Sequence, residues 1–144
     1  MKAVPVSRGG GFSLIELLVA LAIAGILASV ALPTYGAYVA RVRRVAARVA
    51  LTQAAHWLER AATASGRYPK QNAVPQGLLK VEGGHYRLAV TIDSEGTKFS
   101  LEATPQGVQT NDRCGTLVLS HTGQREILNV PDATAVNADT CWSR

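Results

Sequence analysis

The feature that most constrains this chain is an apolar run that admits one carboxylate at its start and then no charge for two dozen positions. The glycines Gly9, Gly10 and Gly11 are followed by Phe12-Ser13-Leu14-Ile15-Glu16, and residues 17–40 contain no Asp, Glu, Lys or Arg. As a helix the uncharged run is about 36 Å long at 1.5 Å per residue, enough to cross a bilayer core of roughly 30 Å. An acid at the mouth of such a helix is costly in lipid, so Glu16 is expected to serve a function. A secretory signal does not fit. Its apolar core spans about 7–15 residues and its small-residue cleavage site comes afterwards, whereas here the small residues come first. A generic anchor fits the length but leaves the Gly-Phe-Ser-Leu-Ile-Glu entrance unexplained. Nor are the glycines a phosphate loop, because no strand leads into them and no Gly-Lys-Ser/Thr follows.

Beyond the run, Val42, Val45, Val49, Ala54, Trp57, Leu58 and Ala61 recur at three- and four-residue spacing. That spacing predicts that the helix continues with these residues as its apolar face, and that Arg43, Arg44, Arg48 and Glu59 lie mostly off it. Ser65-Gly66 supplies a stop, with Pro69 just past it. A helix over residues 12–64 would be roughly 80 Å long. Pro33 removes a backbone hydrogen bond within it, and Gly25 is a second weak point. Residues 67–84, rich in Pro, Gly and Gln, read as a loop. Two hairpins follow. Tyr86, Leu88, Val90 and Ile92 alternate with polar or small residues, Asp93 to Gly96 turns the chain, and Phe99, Leu101 and Ala103 return it; then 116–120 and 124–128 flank His121-Thr122-Gly123. The expected architecture is α+β: a long helix against a four-stranded antiparallel sheet, followed by an irregular tail.

The Gly11-Phe12 junction with Glu16 and the apolar run resembles the class III signal of type IV pilins and pseudopilins. In the C-terminal half, Asp112-Arg113-Cys114-Gly115-Thr116-Leu117-Val118-Leu119, then Gly123 and Cys141-Trp142, is similar to minor pilins of the PilE type and the related ComP DNA-uptake pilins. The resemblance implies a type IV pilin fold with a disulfide-bounded C-terminal region. It implies that a prepilin peptidase removes residues 1–11 as a leader by cutting between Gly11 and Phe12, and that Phe12 is then N-methylated. Residues 12–40 would be the transmembrane and assembly helix, and 41–144 a periplasmic or extracellular domain that includes the helix's second half. Glu16 would attract the freed amine of Phe12, on its own chain or a neighbour's. Gly25 and Pro33 match the glycine and proline that bracket a segment which unwinds in several pilus filaments. The partners implied are other pilins in a helical filament, the peptidase, an inner-membrane assembly platform, and the inner membrane itself before assembly.

Charge and cysteine content narrow the role. Loss of Lys2 and Arg8 with the leader would lower the formal charge from +5 to +3, and residues 41–144 hold 13 Lys plus Arg against 9 Asp plus Glu. A mildly basic domain permits attraction to DNA or anionic lipid. Arg41, Arg43, Arg44 and Arg48 follow the membrane run. By the positive-inside rule alone they would put the domain in the cytoplasm; the leader and the cysteines argue for export, and the arginines are assigned to anionic headgroups or neighbouring subunits. In an exported domain Cys114 and Cys141 are expected to form one disulfide, worth about 3.5 kcal/mol by chain entropy. His56, His85 and His121 lack ligand spacing relative to them, so neither metal nor cofactor is expected. With no nucleophile context the chain reads as a non-enzyme, and His56 beside Trp57 reads as packed. The leading function is a structural minor pilin of a pilus used in motility or adhesion. The alternatives are a DNA-binding minor pilin of natural transformation, with Arg87, Lys98, Arg113 and Arg125 as candidate contacts, and a type II secretion pseudopilin, against which the Cys-Gly-Thr-Leu to Cys-Trp tail argues.

Overall fold

In the computed structural model, which describes residues 11–132 and 136–143, one helix, α1 (Leu14–Ser65), runs unbroken through Gly25 and Pro33. The chain divides into one unit ending at Ala37 and one beginning at Tyr38. The expected leader therefore lies outside the described residues except for Gly11, as do tail residues 133–135. In the first unit the helix is apolar and unburied: its best 18-residue window has a mean hydropathy of 2.5, and α1 is the one described helix long and apolar enough to cross a membrane. Two of its hydroxyls bond back to the helix, Ser29 Oγ to the Ile26 carbonyl (2.7 Å) and Thr34 Oγ1 to that of Val30 (3.0 Å), so neither needs a partner in lipid.

The second unit holds the core. Its sheet has the order β1-β2-β3-β4, all antiparallel: β1 (Tyr86–Ile92), β2 (Phe99–Pro105), β3 (Thr116–Ser120) and β4 (Arg125–Leu128). Alternation decides the faces. Tyr86, Leu88, Val90, Phe99, Leu101, Ala103, Leu117 and Leu119 point inward and are buried. Against them α1 lays Ala47, Ala50, Leu51, Ala54 and Leu58, also buried. Ala54 and Leu58 are buried as expected and Trp57 packs partly against the core, but Val42, Val45 and Val49 of the expected face are exposed, and so is His56. Over those first turns the buried stripe instead runs through Arg44, Ala47, Ala50 and Leu51, on the side of the helix away from the three valines. Alanines at 47, 50 and 54 let the sheet approach closely; valines there would hold it off.

Turns and ends follow local chemistry. Gly66 ends α1 with φ 78° and its amide on the Ala62 carbonyl (2.7 Å), the left-handed cap expected of glycine. In the β1–β2 turn the Asp93 carboxylate accepts from the amides of Thr97 (2.6 Å) and Lys98 (3.1 Å). The tail is less irregular than its composition predicts. Asn137 Oδ1 accepts from the Thr140 amide (2.8 Å), a helix N-cap, and opens a short helix α2 (Ala138–Ser143) that packs on β4.

Candidate functional site: an exposed apolar helix and a buried anchor for the tail

Arg44 of α1 and Asp112, in the loop before β3, form a buried ion pair with side chains 5% and 1% exposed. Arg44 Nε donates to Asp112 Oδ2 (2.9 Å) and its Nη2 to Oδ1, giving the two-pronged geometry that suits guanidinium and carboxylate. The Tyr86 hydroxyl donates to the same carboxylate, and Gln109 Nε2 bridges that hydroxyl (3.3 Å) to the Ala40 carbonyl of α1 (3.1 Å). Helix, first strand and disulfide loop are thus tied at one point. Burial works against both charges, but the hydrogen bonds and opposite charge outweigh it: the Asp112 carboxyl lies below its ordinary value and Arg44 above its own. Burial, then the Asp112 bond, pushes the Tyr86 phenol up.

The tail is held beside this anchor. Cys114 and Cys141 are disulfide-bonded, with Cα atoms 5.8 Å apart and both residues fully buried. Next to them Trp142 donates from Nε1 to the Glu126 carbonyl (3.1 Å), its own carbonyl accepts from Arg48 Nη1, and the Arg125 guanidinium sits 5.5 Å above its ring. Gly115 occupies a position only glycine can fill. Its φ is 57°, and a Cβ there would lie 2.3 Å from the Leu128 carbonyl oxygen.

The model of the type IV minor pilin ComP, DNA uptake sequence receptor, matches residues 33–118, and that of the prokaryotic N-terminal methylation motif matches residues 7–32. The chain belongs to the type IV minor pilin family. Fimbrial protein EcpC of Eikenella corrodens is 35% identical to this minor pilin over 94 residues, 65% of this chain and 61% of that protein, so the match spans about three-fifths of the relative's length. A type IV pilin of Shewanella oneidensis superposes with a TM-score of 0.52 at 30% identity, covering 69% of this chain and 96% of its own. The minor pilin PilV of Neisseria meningitidis shares the fold, with a TM-score of 0.52 at 18% identity over 67% of this chain and 93% of its own. Members of this family are structural proteins that assemble with other pilins, and the methylation motif and apolar helix are those of a membrane-anchored pilin that later enters a pilus.

In this minor pilin Phe12 and Glu16 are exposed at the start of α1, and Gly25 is an ordinary helical residue with open space around it. The four candidate DNA contacts are not brought together. Arg87 is on the outward face of β1, since Tyr86 and Leu88 beside it point inward, whereas Arg125 shares the inward side of β4 with Ile127, at the opposite edge of the sheet. Lys98 precedes β2 and sits roughly 20 Å along the strand direction from Thr104, the partner of Arg87. Arg113 is exposed on the disulfide loop. The arginines after the membrane run also divide: Arg44 is internal, paired with Asp112 rather than with headgroups, and Arg48 is half-buried against the tail. Sequence reasoning missed Asp112, Tyr86, Gln109 and Arg44 as a cluster. No local signal marks it: Arg44 stands between Arg43 and Val45, and Asp112 between Asn111 and Arg113.

Proposed function

We propose that this minor pilin is made with a leader cut after Gly11, leaving an N-methylated Phe12. Residues 12–40 then hold it in the inner membrane with 41–144 on the periplasmic side, until the assembly platform passes it into a pilus. The observation that carries this reading is the first part of α1, which is apolar and exposed and has Glu16 as its one charged side chain. Such a surface requires lipid or other helices to cover it, and the small residues Ala20, Ala24, Gly25, Ala28 and Ser29 permit close helix contact. In that dry setting a neighbour's Phe12 amine attracts Glu16 strongly, yet both ions lose their hydration. The pair therefore sets the register of one subunit on the next more than it adds stability. Gly25 and Pro33 are where the helix can unwind in the filament. Mass spectrometry of the mature chain should find methylated Phe12 at its start, and Gly11→Val should block this. Glu16→Val should leave insertion and cleavage intact while lowering the amount recovered in sheared pili. Wild-type recovery would remove Glu16 from assembly.

A second reading is that the exposed domain captures DNA. It is supported by the description of the matched family model as a DNA uptake sequence receptor and by the excess of Lys and Arg in residues 41–144. Duplex DNA should bind the detergent-solubilised chain with an affinity that falls steeply with salt. No binding at low salt would refute it.

A further inference from the structure

Where DNA would lie on this domain is constrained by the faces of the sheet. The outward face carries Glu102, Val118 and Glu126 in one row across three strands, a pair of acids that would repel a phosphate backbone. The opposite side is different. Two clefts, of about 340 Å³ and 400 Å³, share Thr52 and Arg125 and so join into one trough between α1 and the β3–β4 hairpin. Its helical wall runs from Val45 to Glu59, about 21 Å along the axis, which is some six phosphate intervals of one DNA strand at 3.4 Å each.

We infer that this trough is the DNA-contacting surface, with Arg48 and Arg125 as its phosphate ligands and the Trp142 ring holding the second of them in place. The inference rests on the DNA-capture reading above. Among the described residues no carboxylate lies within ion-pairing distance of either guanidinium, in contrast to Arg44, which Asp112 neutralises. Arg48 is fixed by its bond to the Trp142 carbonyl, while its Nε is buried with no hydrogen bond to a described residue. Arg125 is exposed and stacked on the indole, so its fork is oriented before any ligand arrives. The two cations also feel each other. Burial and then the charges of Arg44 and Arg125 lower the pKa of Arg48, a strain that an incoming anion relieves. The carboxylate on the far wall, Glu59, is engaged by the Tyr68 hydroxyl (2.8 Å), and His56 and His121 complete that end. A second copy of this domain brings the same net positive charge and is the poorer occupant; DNA supplies the phosphates the trough lacks.

Fluorescence anisotropy of a duplex of about 20 base pairs with the detergent-solubilised full chain, repeated across salt concentrations, decides the matter. Arg48→Gln and Arg125→Gln should each weaken binding about 5- to 10-fold at low salt and reduce the log–log salt slope by about one. Arg60→Gln, exposed on α1 outside the trough, should change neither. Because Arg48 also holds the tail, Arg125→Gln is the cleaner variant; its side chain is exposed and its loss leaves the fold in place. Absence of wild-type binding overturns both the DNA reading and this inference. Wild-type binding that survives both trough variants, or is lost in Arg87→Gln or Arg113→Gln instead, overturns the site alone. Trough variants that bind DNA normally but fail to enter pili would make the trough a pilin–pilin contact, which also overturns it.

Discussion

Replacing Asp112 by alanine should test the anchor between helix and tail most severely. The carboxylate receives Arg44 on both oxygens and the Tyr86 hydroxyl, and it is almost fully shielded from water. Without it the Arg44 guanidinium stays buried and uncompensated, a loss of about 3–5 kcal/mol, and Tyr86 forfeits an acceptor worth about 1 kcal/mol. A domain of this size is stable by only about 5–15 kcal/mol, so the substitution removes from about a quarter to the whole of that. Guanidinium unfolding of the detergent-solubilised chain reads the effect, because both tryptophans, Trp57 and Trp142, belong to the second unit. With a slope near 4 kcal/mol per molar, the midpoint should fall by about 1 M. Arg44→Met combined with Asp112→Leu should regain most of the loss, since no buried charge then remains. An Asp112→Ala variant within about 1 kcal/mol of wild type, or a double variant as damaged as the single, would show that the ion pair is not the anchor.

The same cluster sets a pH window. The Asp112 carboxyl is depressed, so its contribution is complete above the unfolded value near 4 and lost as pH falls through the folded one; the Tyr86 phenol is raised, so its contribution is complete below about 10 and lost as pH climbs further. Thermal melts should therefore show a plateau between about pH 5 and 9 whose acid limb shrinks in Asp112→Asn, the remainder coming from Asp93, whose carboxyl is also lowered by its bonds to Thr97 and Lys98; an unchanged acid limb would contradict the assignment. Gly115→Ala should cost at least 2 kcal/mol more than Gly107→Ala, since both have φ 57° but only the former would press a Cβ into backbone oxygens. Equal losses would show that the close approach is immaterial. Cys114→Ser with Cys141→Ser should expose the amides of α2 and the segment leading to it to hydrogen exchange first, leaving the β1–β2 hairpin protected; uniform loss would mean that the bridge supports the whole core.

The elements most legible in the sequence are those with local causes. Alternation located β1 and β2 because half of each strand is apolar and faces one core, and Gly66 marked the end of α1 because the left-handed cap there favours glycine. The short helix at the tail was not legible, since six residues carry less than two turns of periodicity and its cap, Asn137, reads equally well as a loop residue. The anchor was not legible either. Arg44 and Asp112 are 68 residues apart, and nothing local distinguishes an arginine that will be buried beside a carboxylate from one that will face a headgroup.

The misplaced apolar face is the more instructive difference. Periodicity counts apolar residues at helical spacing without regard to what covers them, and a filament subunit has two coverings available: its own sheet and other subunits. Ala47 and Ala50 have too little side chain to dominate such a count, yet they take the sheet side because small residues permit close packing there. Val42, Val45 and Val49 dominate the count and are left at half exposure or nearly so. An apolar stripe that the chain's own core declines is surface that a monomer keeps in water at a cost of about 25 cal/mol per Å². In a minor pilin, neighbouring pilins are the natural cover for Val42, which lies outside the trough that Val45 and Val49 line. Substituting Val42 by Ser should thus leave the unfolding midpoint of the domain nearly unchanged while reducing incorporation into pili. A midpoint that drops as far as that of Leu51→Ala would return this valine to the core.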